Sequence, residues 1–159
     1  MKITIACVGK IKESYLRDAI GEYSKRLGRY CTLNIMEIPD EKPPKNISEN
    51  DEILIKQREG KKLLAGIPED ALVVALAIEG RHYNSVEFAE KINGFGIDGI
   101  SHIVFVIGGS IGLSEEVLKA ADELLSFSRM TFPHQLMRVI LLEQVYRAFR
   151  IINGEPYHK

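Results

Sequence analysis

The chain has 159 residues, of which 45% are hydrophobic and 27% charged, so it can form one globular core but not two full domains. Its 21 Lys and Arg residues are balanced by 22 Asp and Glu residues, and the net charge of -1 excludes a histone-like polycation and an acidic solvating tail. Any contact with nucleic acid must therefore come from local patches.

The two cysteines, Cys7 and Cys31, are too few for a disulfide scaffold and too far apart for a paired metal-ligand motif. This usage favours a reduced protein with both thiols in the core. The sequence begins without the apolar stretch of a signal peptide, and no uncharged apolar run approaches the roughly 20 residues that span a bilayer. We therefore expect a soluble, cytoplasmic protein.

Short apolar runs alternate with helical patterns along most of the chain. The apolar runs, rich in branched residues, are typical of strands and comprise Ile3 to Val8, Leu33 to Ile38, Ala71 to Ile78 and Ile103 to Ile107. The helical patterns cover Glu13 to Arg29, Asn50 to Ala65, Ser85 to Ile92 and Ser114 to Ala121. This alternation predicts a single α/β domain over residues 1–159, with a mainly parallel sheet and helices on both faces.

Polar residues indicate where several of these elements begin and end. Ser85 and Ser114 stand at the start of helical patterns, where a serine hydroxyl can cap the helix. The segment Asp40 to Ser48, which contains Pro43 and Pro44, has the composition of a loop. We expect a mobile loop between the second strand and the second helix.

A glycine-rich segment, Ile107 to Gly112 (IGGSIG), lies between the fourth strand and a capped helix. Glycines at such a turn let a ligand approach the backbone closely. The spacing lacks the first half of the dinucleotide-binding pattern, and no Gly-Lys-Ser or Gly-Lys-Thr follows it. A purely structural turn and a ligand site both remain open on this segment alone.

A second segment, Leu125 to His134 (LSFSRMTFPH), passes from a short apolar strand into small polar residues and then a proline. Free main-chain donors and acceptors in such a loop could hold a heterocycle such as adenine between apolar side chains. The alternative is a capped helix entrance, in which Pro133 and His134 open the helix and Ser128 or Thr131 supplies a hydroxyl.

The last helical pattern, His134 to Ile152, carries apolar residues around much of its circumference. Five apolar residues follow helical spacing along one seam: Met137, Leu141, Val145, Ala148 and Ile152. Leu142 and Phe149 lie beside this seam. The opposite arc is polar at Glu143, Arg147 and Arg150 but apolar at Leu136, Ile140 and Tyr146. One sheet face does not need so wide an apolar surface, which favours a subunit interface; deeper burial within one chain is the alternative.

The chain ends in Glu155 to Lys159 (EPYHK). Terminal residues are usually frayed, so a disordered tail is one interpretation. The ring of Tyr157, the imidazole of His158 and the cation of Lys159 also suit base stacking, proton transfer and phosphate contact.

Other chemistries have little support in the sequence. His82, His102 and His134 share no short metal-ligand spacing, so we expect no metal. No Gly-x-Ser-x-Gly elbow for covalent hydrolysis is present. The cations between Lys10 and Arg29 are partly offset by carboxylates, and form either a modest RNA-facing patch or a solvated helix face.

Four segments are specific in combination: Phe105 to Gly112 (FVIGGSIG), Leu125 to Leu136 (LSFSRMTFPHQL), Leu142 to Ala148 (LEQVYRA) and Tyr157 to Lys159 (YHK). In this order they resemble the SPOUT-class methyltransferase family that modifies a pseudouridine of large-subunit ribosomal RNA at N3. The resemblance covers most of the chain and is densest from Ile103 onward.

The resemblance implies a homodimer that binds S-adenosyl-L-methionine in a C-terminal trefoil knot, uses no metal and acts on ribosomal RNA. Because so small a protein has little surface for RNA, we expect the assembled ribosome to supply the rest of the recognition by shape. General topology rules alone favour an unthreaded sheet, so the knot rests on the resemblance. By motif position, the implied cofactor contacts are Leu76, Gly108, Phe127, Ser128, Arg129, Met130, Thr131 and Phe132. Two positions depart from the family pattern: Phe127 replaces a common leucine, and Ala77 replaces a frequent aspartate.

The implied reaction needs a base, because N3 of pseudouridine carries a proton near neutral pH. Our hypothesis is that Tyr157, His158 and Lys159 fold over the site with His158 as the base, since imidazole titrates near neutral pH. Arg147 would stabilise the developing imide anion or bind phosphate.

Two other functions remain open. A Rossmann-like oxidoreductase would use the turn at Gly108 to Gly112, but its phosphate fingerprint is absent. A catalytically inert ribosome- or RNA-binding dimer would keep the same fold. Saturable binding of S-adenosyl-L-methionine, and not of a nicotinamide cofactor, distinguishes the methyltransferase from the oxidoreductase.

Overall fold

The computed structural model describes residues 1–159, in which five strands alternate with five helices. In chain order these are β1 (Lys2–Val8), α1 (Ser14–Leu27), β2 (Thr32–Ile38), α2 (Glu49–Ala65), β3 (Leu72–His82), α3 (Ser85–Ile97), β4 (His102–Ile107), α4 (Glu115–Ala120), β5 (Glu123–Ser126) and α5 (His134–Ile152). The strands form one sheet in the order β2-β1-β4-β3-β5, and every pair is parallel. The predicted α/β class is confirmed.

The sheet is covered on both faces. Its central strands, β1 and β4, are buried along almost their whole length, as expected for parallel strands between two helix layers. One face packs against α1, α3 and α5 through Leu27, Ile92 and Val145, whereas the other packs against α2 and α4 through Leu63 and Val117. All strands point the same way, so their C-terminal ends meet at one edge, where ligands bind in open α/β sheets.

The wide apolar surface of α5 is buried mostly within the chain. The helix packs between α1 and α3, and its buried residues are Arg138, Leu141, Leu142, Val145, Tyr146, Ala148 and Phe149. Tyr146, one of the predicted apolar interruptions of the polar arc, packs against the rings of Tyr23 and Tyr157. Intrachain burial therefore accounts for the breadth of this surface, and among its large apolar side chains only Leu136, in the first turn, counts as exposed, at 37%.

The helix α3 begins at Ser85 as predicted, but its expected cap and its expected C-terminal end are wrong. Asn84 caps the helix, because its side chain accepts from the Glu87 N–H while the Glu87 carboxylate accepts from the Asn84 N–H. Ser85 is instead the first helical residue, and its hydroxyl donates to Gln144 Oε1 at 2.8 Å. The helix continues to Ile97 because buried Phe95 extends its apolar face past Ile92.

The predicted cap of α4 is confirmed, whereas the prediction that both cysteines lie in the core is correct for only one of them. Ser114 caps α4 by accepting from the Val117 N–H, as predicted. Cys7 is buried, whereas Cys31 is only partly so. Burial raises the pKa of each thiol to about 11, so neither is a ready nucleophile at neutral pH. Residues 39–48 form no regular element, and Ser48 caps α2 at the end of this loop.

Candidate functional site

A cavity of about 320 Å³ opens beside the C-terminal ends of β4 and β5 and the middle of β3. Its walls come from residues 76–79, from the turn after β4 at 107–113 and from the segment 125–134. The second and third of these are segments where sequence reasoning allowed a ligand to approach the backbone, and the first contains Leu76, which the resemblance implies as a contact. The size falls within the range of roughly 300–1,000 Å³ that is usual for small-molecule pockets.

A bulge in β3 forms one wall of the cavity. Both Leu76 and Arg81 pair with Leu125 of β5, so residues 77–80 between them leave the ladder. A Cβ on Gly80 would lie 2.7 Å from the main chain of Leu124 and Leu125, which only glycine avoids. The bulge therefore depends on Gly80, and it lines the cavity with residues 76–79.

The glycine turn after β4 forms a second wall. A Cβ on Gly108 would lie 2.8 Å from the carbonyl carbon of Gly112, and Gly112 itself has a φ of +91°. Gly109 and Gly112 form an isolated bridge that closes the turn. Such a turn presents main-chain atoms to the cavity without side chains in front of them.

The loop between β5 and α5 forms the third wall. Ser128 Oγ accepts from the Met130 N–H, and Ser126 Oγ donates to the Ser128 carbonyl. The N–H groups of Thr131 and Phe132 donate to no acceptor in the protein, which leaves them free for a ligand. Pro133 precedes α5 without a side-chain cap, so the alternative of a hydroxyl-capped helix entrance is wrong.

The eight predicted cofactor contacts are placed as follows. Leu76, Gly108, Phe127, Ser128, Met130, Thr131 and Phe132 line the cavity. Arg129 is exposed and lies outside its walls. Sequence reasoning missed Glu79, which also lines the cavity, because nothing in the local pattern revealed the bulge that places it there.

The C-terminal tail packs onto α5, so the alternative of a disordered tail is wrong. The ring of Tyr157 meets that of Tyr146 edge-on at 4.9 Å, and the Arg147 guanidinium lies 4.7 Å from the centre of the Tyr157 ring. One residue before Pro156, Glu155 accepts from the Tyr30 hydroxyl at 2.6 Å. These contacts hold the tail on the surface formed by α1 and α5.

Glu143 is the centre of a hydrogen-bond network at the tail. Its Oε1 accepts from Arg147 Nε at 3.0 Å, from Arg147 Nη2 at 2.5 Å and from the Tyr157 hydroxyl at 3.0 Å. Its Oε2 accepts from Gln144 Nε2 at 2.8 Å. Burial, and then the hydrogen bond from its hydroxyl to Glu143, raise the pKa of Tyr157 to about 12. The hydroxyl therefore remains protonated at neutral pH. Sequence reasoning placed Glu143 on a polar arc and gave it no role.

Arg147 also connects the network to His158. Its Nη1 lies 3.2 Å from His158 Nδ1. A guanidinium can only donate, so Nδ1 is the acceptor and the imidazole proton of the neutral ring sits on Nε2. The three residues predicted to be catalytic, Arg147, Tyr157 and His158, are thus brought together.

The tail does not cover the first cavity of its own chain, contrary to our expectation. His158 lines a separate cavity of about 570 Å³, which shares only residues 125–127 with the first. The reason is the anchoring of Tyr157 to Glu143, six residues or about 9 Å along the helix axis from Met137, which lines the first cavity. The two sets of predicted site residues therefore meet only at the end of β5.

Two negative findings complete the description. No group of three or more His, Cys, Asp or Glu side chains is arranged to hold a metal ion. None of the helices has the length and apolar character needed to cross a bilayer.

Comparisons with known proteins agree with this geometry. A sequence profile described as "Predicted SPOUT methyltransferase" matches residues 1–158. Two relatives, from Bifidobacterium adolescentis and Clostridium novyi, are each 62% identical over 159 residues, with full coverage of both chains, and each is named "Ribosomal RNA large subunit methyltransferase H". The solved structure of a probable methylase family protein from Haemophilus influenzae aligns with a TM-score of 0.55 at 16% identity, covering 99% of this chain and 70% of that one. At that identity, the likeness concerns the fold alone.

Proposed function

The chain belongs to the SPOUT methyltransferase family, and from this premise we propose that it transfers a methyl group from S-adenosyl-L-methionine to N3 of a pseudouridine in large-subunit ribosomal RNA. The observation that carries the proposal is the cavity formed by the β3 bulge, the glycine turn after β4 and the loop after β5. The ribosomal RNA substrate is supported by the names of the relatives, which match along the whole chain.

The residues around the cavity fit this cofactor. The free N–H groups of Thr131 and Phe132 suit the edge of adenine, and the apolar side chains of Leu76 and Leu125 suit its faces. The glycine turn depends on the absence of a side chain at Gly108, because a Cβ there would lie 2.8 Å from the carbonyl carbon of Gly112. When bound, the cofactor supplies an electrophilic methyl group that needs no Lewis acid. The family resemblance adds a trefoil knot around this cavity to the proposal.

His158 is the proposed base, and Arg147 the proposed stabiliser of the imide anion. In the absence of RNA, the Nδ1 lone pair of His158 is occupied by Arg147 Nη1. A pyrimidine carbonyl or a phosphate that takes over this donor would free Nδ1 to accept the N3 proton. Glu143 keeps the rest of the guanidinium in place during this exchange, because Nε and Nη2 stay bonded to it.

A homodimer is part of the proposal. Ile78, Met130 and Leu136, next to or within the walls of the cavity, are exposed by 48%, 73% and 37%. Covering them with a second copy would bury apolar surface and create a composite groove for RNA. Folded RNA is recognised largely by its shape, which the assembled ribosome would supply in the cytoplasm.

The decisive experiment supplies labelled S-adenosyl-L-methionine with free ribosomal RNA, separated subunits and whole ribosomes, followed by mapping of the modified nucleotide by mass spectrometry. We expect label at N3 of one pseudouridine, with whole ribosomes as the best substrate. Label on another atom would overturn the base assignment. Label on none of the three substrates would favour the inert RNA-binding dimer.

A further inference from the structure

One charged side chain of the cofactor cavity takes no part in the proposed proton transfer or in the proposed contacts to adenine. Glu79 is the only carboxylate among the 20 residues that line the cavity. It takes part in no ion pair. The Glu79 carboxylate also accepts no side-chain hydrogen bond. No other group of the protein therefore neutralises its charge.

The rest of the cavity is uncharged. Its other polar side chains are the hydroxyls of Ser126, Ser128 and Thr131 and the imidazole of His134. Burial lowers the pKa of His134 below its ordinary value of 6.5, so this ring is neutral at pH 7. Glu79 is thus the single formal charge that the walls present to a bound molecule.

The bulge in β3 determines the position of Glu79. Residues 77–80 leave the β3–β5 ladder between two residues that both pair with Leu125, and the main chain at Gly80 fits against Leu124 and Leu125 too closely for any other residue. A regular strand would return Glu79 to the ladder. Bulges next to binding sites commonly re-aim a side chain in this way.

We propose that Glu79 makes the cavity prefer the positively charged methyl donor over the neutral product, S-adenosyl-L-homocysteine. This inference rests on the proposed function. Donor and product share the adenosine, ammonium and carboxylate groups, and they differ by one methyl group and one positive charge. In the transfer, a bond forms between N3 and the methyl carbon, the carbon–sulfur bond breaks with its electron pair left on sulfur, and the N3 proton passes to the base. The attraction by Glu79 is therefore lost at the moment of transfer, which favours exchange of product for fresh donor.

The expected effect is modest because the Glu79 side chain is exposed to solvent. Exposed charge pairs contribute little and are screened by salt, so loss of this carboxylate should weaken donor binding about threefold to fivefold. Product binding should not change, since the neutral thioether gains nothing from the carboxylate. The ratio of the two dissociation constants isolates the effect from any general change in the cavity.

The test is titration calorimetry of the full-length protein with S-adenosyl-L-methionine and with S-adenosyl-L-homocysteine, at low salt and at about 0.5 M NaCl. Glu79→Gln should lose the preference for the donor at low salt, and the wild-type protein should lose most of this preference at high salt. Glu90 is an exposed carboxylate on α3 outside the cavity, so Glu90→Gln should behave as wild type. Equal weakening of both ligands, or no change, would overturn the inference while leaving the methyltransferase proposal intact. Failure of the wild-type protein to bind either ligand would instead overturn the proposed function, and the inference with it.

Discussion

Glu143 Oε1 accepts hydrogen bonds from both Arg147 and Tyr157, although Tyr157 lies 14 residues further along the chain. One carboxylate thus fixes the guanidinium on α5 and the aromatic ring of the tail at the same time. The same guanidinium then reaches His158 through Nη1. Positioning of the proposed base therefore depends on a residue that touches neither the base nor the cofactor cavity.

Replacing Glu143 with glutamine tests this positioning role. Glu143→Gln keeps the shape of the side chain but removes the charge that holds Arg147 and Tyr157. Hydrogen bonds to charged groups contribute about 1.5–3 kcal/mol. We therefore expect kcat for ribosome methylation to fall about 10- to 100-fold. Affinity for S-adenosyl-L-methionine, measured by calorimetry, should stay the same, because Glu143 does not line that cavity. Glu90→Gln is the matched control, and unchanged kcat in Glu143→Gln would contradict the assignment.

Removing the tail separates catalysis from cofactor binding. Deletion of residues 157–159 takes away the proposed base and the ring that packs on Tyr146, but no residue of the cofactor cavity. We expect methyl transfer to be abolished and the cofactor dissociation constant to stay within about twofold, a change of under 0.5 kcal/mol. Deleting Lys159 alone is the control for a shortened terminus. Unchanged turnover after the longer deletion would remove the tail from the mechanism.

The glycine turn provides a test on the cofactor side. In Gly108→Ala, the new Cβ would lie 2.8 Å from the carbonyl carbon and 2.9 Å from the carbonyl oxygen of Gly112, so the turn must shift. We expect cofactor affinity to fall about tenfold or more and the free energy of unfolding to fall by about 1–3 kcal/mol, as for overpacked sites. Calorimetry and urea denaturation measure the two effects.

Gly21→Ala is the matched control for that substitution. Nothing lies within 4 Å of a Cβ at Gly21, which is inside α1. Alanine there should raise the free energy of unfolding by about 0.5–1 kcal/mol and leave binding unchanged. If Gly108→Ala binds the cofactor as well as Gly21→Ala does, the turn is not a cofactor wall.

The fold followed from local patterns because those patterns describe local physics. Branched apolar runs predicted β1, β2 and β4 to within a residue, and Pro133 marked the start of α5 correctly. The cavity segments after β4 and β5 were also predictable, since loops that follow parallel strands share one edge of the sheet. Each of these inferences needs only neighbours in sequence.

The missed features depend on contacts between distant parts of the chain. Glu79 reaches the cavity through a register shift between β3 and β5, which no run of residues in β3 reveals. The tail binds α5 through Glu143, and its location relative to the cavity follows from that pairing and not from the YHK segment itself. Asn84 displaced Ser85 as the cap because Glu87 completes a reciprocal pair with it, a signal that was present in the sequence and overlooked.

A buried carboxylate behind the glycine turn gives a pH-dependent prediction. Glu59 is only 4% exposed; its Oε2 accepts from the Glu41 N–H at 3.3 Å, and its Oε1 has no partner. Burial raises the pKa of Glu59 above its ordinary value of 4.5, and the nearby charges of Glu41 and Asp40 act in the same direction. The folded protein therefore binds this proton more tightly than the unfolded chain does. The resulting stability is present below about pH 4.5 and is lost as the pH rises through the folded-state pKa.

Glu59→Gln removes this ionisation while keeping an oxygen for the Glu41 N–H. Relative to wild type, we expect the variant to gain free energy of unfolding as the pH is raised from about 4.5 to about 8, by an amount on the order of 1 kcal/mol, the usual cost of an unsatisfied buried polar group. Urea denaturation at several pH values measures this difference, with Glu90→Gln as the control. A difference between variant and wild type that stays constant across the pH range would show that folding leaves the pKa of Glu59 unchanged, because only a group whose proton affinity changes on folding can make stability depend on pH.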